Sequence, residues 1–224
     1  MKPLDLKKIS IFEKMPDELL KEICERMYFR NLKKDEVLFF RGEVGDTLYI
    51  IKTGKIKISI STEEGEELII SIFSDGDFFG ELSLLDKSPR SADAVAITDT
   101  ELFVLSRDVF YSYLFQHKEA LEPIMSALCK RLRKTDEFLA DLCYSKISKR
   151  MVKTLIELAT KFGKKDGKKI ILDLELTQRD LGSMLGVTRE TVNREIVKLK
   201  LEGILSKDRK RIVINDFSRL LDLI

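Results

Sequence analysis

Two hydrophobic rhythms divide this chain. From about position 31 to 105, short β-type runs alternate with turn signals, and 37–40, 47–51, 55–60, 68–73, 92–97 and 101–105 are the expected strands. Gly42, Gly45-Asp46, Thr53-Gly54, Glu64-Gly65 and Asp75-Gly76-Asp77 punctuate them. In Lys55-Ile56-Lys57-Ile58-Ser59-Ile60 the alternation is strict, which predicts one wet face and one core face. Such spacing describes a small antiparallel sandwich or barrel. Past it the period lengthens. A helix is expected over 118–144, where Leu121, Met125, Leu128, Leu132, Thr135, Leu139 and Leu142 recur at intervals of four and three. A seam sustained for three heptads needs an apolar partner, and a parallel second copy supplies one; packing on its own domain is the alternative. Thr135 is its polar position, able to fix register or to touch a ligand.

The stretch 176–194 carries a third pattern, two short helices joined by a tight turn. Thr177 suits the first N-cap, Leu181, Met184 and Leu185 form its apolar stripe, and Gly186 permits a left-handed stop. Thr188 caps the second helix, and Gly182 lets the two helices approach closely. Arg189, Glu190, Asn193 and Arg194 are left exposed. At the start of a recognition helix an arginine can donate to guanine O6 and N7, while a glutamate can accept from cytosine N4. A helical hairpin with a solvated charged face has the same spacing. Lys207 to Arg211, followed by Ile212-Val213-Ile214, predicts a terminal hairpin or wing.

One connection breaks the β-rhythm. Residues 78–92 read as a helical turn and a loop that re-enters a strand. Free N–H groups near Gly80 favour an anion, Arg90 and Ser91 return a charged fork and a hydroxyl, and Glu81 can accept from a sugar hydroxyl. A Glu81 to Arg90 salt bridge bracing the loop is the plainer reading.

Charge sharpens this picture. The net charge is +2 over 224 residues, yet from position 148 onward 18 Lys+Arg face 11 Asp+Glu, against 22 and 27 before it. A basic C-terminal part behind an acidic module fits a DNA reader. With 44% hydrophobic residues there is material for two cores. No apolar run approaches the roughly 18 residues that span a bilayer, and the N-terminus lacks a signal-peptide core, so a cytoplasmic protein without membrane contact is expected. Cys24, Cys129 and Cys143 are scattered, giving neither a disulfide framework nor a metal cluster; buried thiols are the expectation. His117 has no clustered partner. Arg131, Arg133 and Lys134 read as a solvated basic face.

Phe79-Gly80-Glu81-Leu82 followed by Pro89-Arg90-Ser91-Ala92 resembles the phosphate-binding cassette of cyclic-nucleotide-binding domains. Together with Thr188-Arg189-Glu190-Thr191-Val192-Asn193-Arg194 it resembles the CRP/FNR superfamily of bacterial transcription regulators, in the branch of the cyclic AMP receptor proteins. The resemblance covers nearly the whole chain. It implies an α+β fold with an N-terminal antiparallel β-roll and its flanking helices at 1–117, a dimerisation helix at 118–147 and a C-terminal winged helix-turn-helix at 148–224. It implies cyclic AMP as effector, held by Gly80, Glu81, Leu82, Arg90 and Ser91, with Thr135 and Asp136 at the base. Asp136 departs from the family's usual serine, which leaves a guanine nucleotide open. It further implies a homodimer reading an inverted repeat similar to TGTGA through Arg189, Glu190 and Arg194, with Gln178, Arg179, Thr188 and Thr191 on phosphates, and RNA polymerase as partner of an activator. Glu195 stands where apolar residues are frequent. Lys164 to Lys169 is read as a loop, solvated or facing polymerase.

Neither a haem, a metal nor an iron–sulfur cluster is expected, because the ligand patterns are missing. An enzyme would need a nucleophile–base pair or a phosphate loop after position 148, and neither is visible. A regulator answering another effector or none, and a pure interaction module, are the competing readings.

Overall fold

Leu48-Tyr49-Ile50-Ile51 and Leu102-Phe103-Val104-Leu105 are buried at every position, which a strand achieves only when both faces of its sheet are covered. A computed structural model shows how. It describes residues 6–7, 9, 11–13, 15–116 and 121–224. The N-terminal residues 1–5, His117 and the expected start of the long helix at 118–120 lie outside the described residues.

Two compact bodies result, one running to Gly65 and resuming over Ile69–Lys134, the other taking Glu66–Leu68 and Thr135–Ile224. In the first, helix α1 (Asp17–Arg26) precedes β1 (Tyr28–Leu32), β2 (Val37–Phe39), β3 (Thr47–Thr53), β4 (Lys55–Ser61), β5 (Glu67–Ser74) and β6 (Phe78–Phe79). Helix α2 (Glu81–Asp86), β7 (Asp93–Ala96), β8 (Thr100–Ser106) and α3 (Arg107–Gln116) follow, and then the long α4 (Leu121–Tyr144), which belongs to the second body from Thr135 onward. The strands form two sheets, ordered β1-β8-β3-β6 and β2-β7-β4-β5. Tyr49, Ile51, Leu102 and Val104 pack inward with Ile56, Phe79, Ala94 and Ala96, making the β-roll core. Leu48, Ile50, Phe103 and Leu105 face the other way, onto Leu20 and Ile23 of α1, Val109 and Phe110 of α3 and Ile124 of α4. That second layer is why those runs carry no polar face.

Strands β1 and β6 were not expected from the sequence. β1 is exposed at Tyr28, Phe29, Arg30 and Asn31, so it shows no core period. The strict alternation in β4 also fails: Ile56 and Ser59 are buried while Ile58 and Ile60 are half-buried. Ile58 nonetheless stays on the core face with Ile56, the two lying opposite Ala94 and Ala96, and Ser59 is covered on the other face.

The second body contains α5 (Ile147–Phe162), β9 (Gly163–Asp166), β10 (Lys169–Glu175), α6 (Gln178–Leu185), α7 (Arg189–Leu201), β11 (Leu205–Asp208), β12 (Arg211–Ile214) and α8 (Phe217–Leu221). One sheet runs β11-β12-β10-β9. The expected lysine-rich loop at 164–169 is instead a hairpin, with Lys164 paired to Ile171 and Lys165 to Ile170. Helix α5 buries Met151, Val152, Leu155, Leu158, Ala159 and Phe162. The hairpin β11–β12 is the wing.

On α4, Leu121, Met125, Leu132 and Leu139 are 39%, 61%, 63% and 53% exposed, whereas Leu128 of the same seam is half-buried against the core. Cys129 and Cys143 are exposed too, correcting the expectation of buried thiols; Cys24 is half-buried. They follow the seam by one position, on the side turned from the core.

Candidate anion pocket and candidate nucleic-acid interface

Gly80 joins β6 to α2 with φ +83°, a left-handed conformation that costs glycine little. A Cβ there would also lie 2.8 Å from Arg90 Nη1 and 3.0 Å from the Thr47 carbonyl oxygen. The space belongs to the Arg90 side chain. Arg90 is buried, donating from Nη1 to the Gly80 carbonyl (2.9 Å) and from Nη2 to the Thr47 carbonyl (3.1 Å) and hydroxyl (2.9 Å). Its guanidinium carbon sits 4.4 Å from the centre of the Phe39 ring and 5.5 Å from that of Tyr49. Burial lowers its pKa from the ordinary arginine value. Gly45 closes the cradle, since a Cβ there would lie 2.5 Å from Arg90 Nε.

Glu81, the first residue of α2, is buried, and its partner is not Arg90. Arg131 of α4 donates from Nη1 to Glu81 Oε1 and from Nη2 to the Phe78 carbonyl. Its guanidinium also lies over Phe73 at 4.7 Å and Phe78 at 4.9 Å. The expected Glu81 to Arg90 bridge is thus replaced by Glu81 to Arg131, and Arg131 leaves the solvated basic face that Arg133 and Lys134 keep. Sequence reasoning missed Arg131 because a three-residue basic run does not say which cation meets a carboxylate 50 positions earlier.

Glu81 Oε2 and Arg90 Nε are buried without a hydrogen-bond partner among the described residues. An orphaned acceptor and an orphaned donor on this cassette fit a sugar phosphate, which offers hydroxyls to the first and oxygens to the second. Leu82 and Ser91 are exposed on either side of the pair. Arg107 steadies α2 from behind by donating from Nη2 to the Gly45 (2.8 Å) and Ser83 (2.9 Å) carbonyls. Thr135 is exposed one helical turn beyond Arg131 on the same face of α4, and Asp136 is exposed beside it.

The helix pair of the second body is fixed by its caps. The Thr177 hydroxyl accepts from Asp180 N (3.1 Å) and Asp180 Oδ2 accepts from Thr177 N (2.7 Å), a reciprocal capping box on α6. Gly186 ends that helix with φ +64°. Gly182 has no room for a Cβ, which would lie 2.6 Å from the Val187 carbonyl oxygen. Helix α7 starts at the Thr188 cap and buries Val192, Glu195 and Leu199. Glu195 takes a core-facing position because its carboxylate accepts from Lys198 Nζ at 2.8 Å, so α7 keeps the rotation expected of it.

Arg189, Glu190, Asn193 and Arg194 are exposed together on the opposite side, with Thr188 exposed and Thr191 half-buried at the helix start. Glu190 is held as the carboxylate, below the usual range, by its own backbone N–H and by the Thr188 hydroxyl. Arg179 is exposed at the start of α6, while half-buried Gln178 bonds across to α7. The interface offers cationic donors and a carboxylate acceptor on one helix face, flanked by a wing with Lys207, Arg209, Lys210 and Arg211.

A β-roll with a phosphate-type cassette, a long helix and a winged helix-turn-helix define a DNA-binding transcription regulator with a nucleotide-binding module. The cyclic nucleotide-binding domain family matches residues 29–117 and the Crp-like helix-turn-helix domain family residues 149–223. The chain belongs to the CRP/FNR family. It is 32% identical over 215 residues to a "CRP-like cAMP-activated global transcriptional regulator" of Mycobacterium tuberculosis, covering 96% of each chain. It is 30% identical over 202 residues to the "cAMP-activated global transcriptional regulator CRP" of Salmonella typhimurium, covering 88% of this chain and 94% of that one. A CRP/FNR family transcriptional regulator of Thermus thermophilus superposes with a TM-score of 0.74 at 26% identity, over 88% of this chain and 97% of the other.

Proposed function

We propose that this chain is a cyclic AMP-gated transcription regulator that works as a homodimer and reads an inverted repeat similar to TGTGA. The carrying observation is the buried pair Glu81 Oε2 and Arg90 Nε, each lacking a hydrogen-bond partner among the described residues while Arg90 Nη1 and Nη2 already donate within the protein. Arg90 would hold the cyclic phosphate with the backbone at Gly80 and Glu81 and the Ser91 hydroxyl. Glu81 would accept from the ribose 2′-hydroxyl, with Leu82 beside it. Relatives named as cAMP-activated support the choice of nucleotide.

The domains act in sequence: 1–117 binds effector, 118–147 pairs two copies through the exposed seam, and 148–224 reads DNA. Thr135 and Asp136 lie on the paired helix and would contact the base. A ligand that binds one arrangement of that helix more tightly shifts the dimer toward it, setting two recognition helices about 34 Å apart. Arg189, Glu190 and Arg194 would read bases, and Gln178, Arg179, Thr188 and Thr191 would lie near phosphates. We place the regulator in the cytoplasm, as an activator with RNA polymerase as its further partner and with no catalytic step.

Asp136 supports a second reading, a guanine nucleotide as effector, because a carboxylate accepts from guanine N1–H and its amino group together. Calorimetric titration with cyclic AMP and cyclic GMP, followed by DNA binding with and without the tighter ligand, decides between the two. No heat from either nucleotide would overturn the pocket assignment.

A further inference from the structure

Gln178 and Asn193 belong to different helices and form a bridge across the reading head. Gln178 Nε2 donates to Asn193 Oδ1 at 2.8 Å, and Gln178 Oε1 accepts from Arg189 Nε at 3.4 Å. Both ends of one amide are thereby used. The bridge is possible because the capping box fixes Gln178 as the first residue of α6, and Gly182 brings α6 against the turn before α7. Asn193 lies four positions after Arg189, one turn along the same face of α7.

We infer that Gln178, braced by Asn193, is a positioning residue for Arg189 and sets its base specificity. The inference rests on Arg189 being a base reader. An arginine can present a guanine with either its terminal Nη1 and Nη2 or the side-on pair of Nε and one Nη. With Nε given to Gln178, the terminal pair is offered to O6 and N7. Holding the guanidinium before contact also removes part of the ordering cost of a long exposed side chain. Gln178 thus acts through Arg189 and departs from the simpler role of a phosphate contact.

The test is selection by the full-length protein from a duplex pool with randomised half-sites, read as base preference at each position, together with affinity for the best duplex. Arg189→Ala identifies the position that Arg189 reads. Gln178→Leu and Asn193→Ala lower the guanine preference at that position by about 2- to 10-fold and leave other positions unchanged. Gln178→Glu keeps the acceptor for Arg189 Nε, and its second oxygen can accept from Asn193 Nδ2 once that amide turns over, so it retains the preference, whatever its overall affinity. Added to Arg189→Ala, Gln178→Leu changes the preference no further. A uniform loss across all sequences with unaltered base preference in Gln178→Leu would overturn the positioning role and leave a phosphate contact. An Arg189→Ala protein with unaltered preference would overturn the base reading itself.

Discussion

The Thr47 hydroxyl accepts from Arg90 Nη2 at 2.9 Å, and the same Nη2 reaches the Thr47 carbonyl at 3.1 Å, so one strand residue on β3 holds the charged fork of a cassette 43 positions later. Thr47→Val keeps shape and removes one acceptor from a buried guanidinium. A loss of about 1.5–3 kcal/mol in urea unfolding is expected, the range for hydrogen bonds to charged groups, with Thr47→Ser close to the parent. Equal stability in the valine and serine proteins would contradict the role of that bond.

Arg131 offers a second test. Replacing it by methionine leaves the Glu81 carboxylate buried with neither oxygen paired to a cation. Unfolding should cost about 1.5–3 kcal/mol less, and adding Glu81→Gln should recover part of that loss. A double-mutant cycle measured by thermal denaturation gives the coupling directly, and strict additivity would show that the pair contributes nothing.

The exposed seam of α4 makes a prediction about assembly. The parent chain should sediment as a dimer, whereas Leu132→Glu puts two carboxylates into an apolar interface and should give a monomer. The monomer should still bind nucleotide through Arg90 but lose most of its affinity for an inverted repeat. Analytical ultracentrifugation and anisotropy on one duplex measure both.

Asp141 on α4 and Lys153 on α5 carry a pH dependence within the second body. Lys153 Nζ sits 2.7 Å from both Asp141 oxygens and the Ser145 hydroxyl donates at 2.7 Å, holding the Asp141 carboxyl below the usual carboxylate range. A carboxyl lowered in the folded state stabilises fully above the unfolded value and loses that stabilisation as pH falls through the folded one. Asp141→Asn should therefore cost about 0.5–1 kcal/mol at pH 7, and the difference should shrink and vanish as pH falls through the lowered folded-state pKa of Asp141. Melting curves from pH 7 down to well below the ordinary carboxylate range check it, and a pH-independent gap would assign the effect to packing.

Much of the fold is visible in local patterns. Turn glycines and aspartates mark six of the roll's strands. In β4 the core face keeps the period at Ile56 and Ile58, while Ser59 is buried on the other face, because strand period does not say what packs over that side. Helix α7 is legible through Thr188 and Val192, yet Glu195 looks misplaced until Lys198 is seen beside it, since a buried carboxylate depends on a partner that periodicity does not name.

Local sequence was enough to specify the order of parts, the glycine-dependent turns at Gly80 and Gly186, the seam of α4 and the exposed polar face of α7. Each of these depends on neighbours within a few residues, where backbone sterics and helical or strand period decide. That Glu81 meets Arg131 and not Arg90, that Arg90 is held by Thr47, and that Gln178 reaches Asn193 and Arg189 emerges only in the folded chain. These contacts join separate elements, and charge or hydrogen-bonding capacity alone gives each side chain several possible partners. Packing selects one, because only the fold brings a particular donor within bonding distance of a particular acceptor.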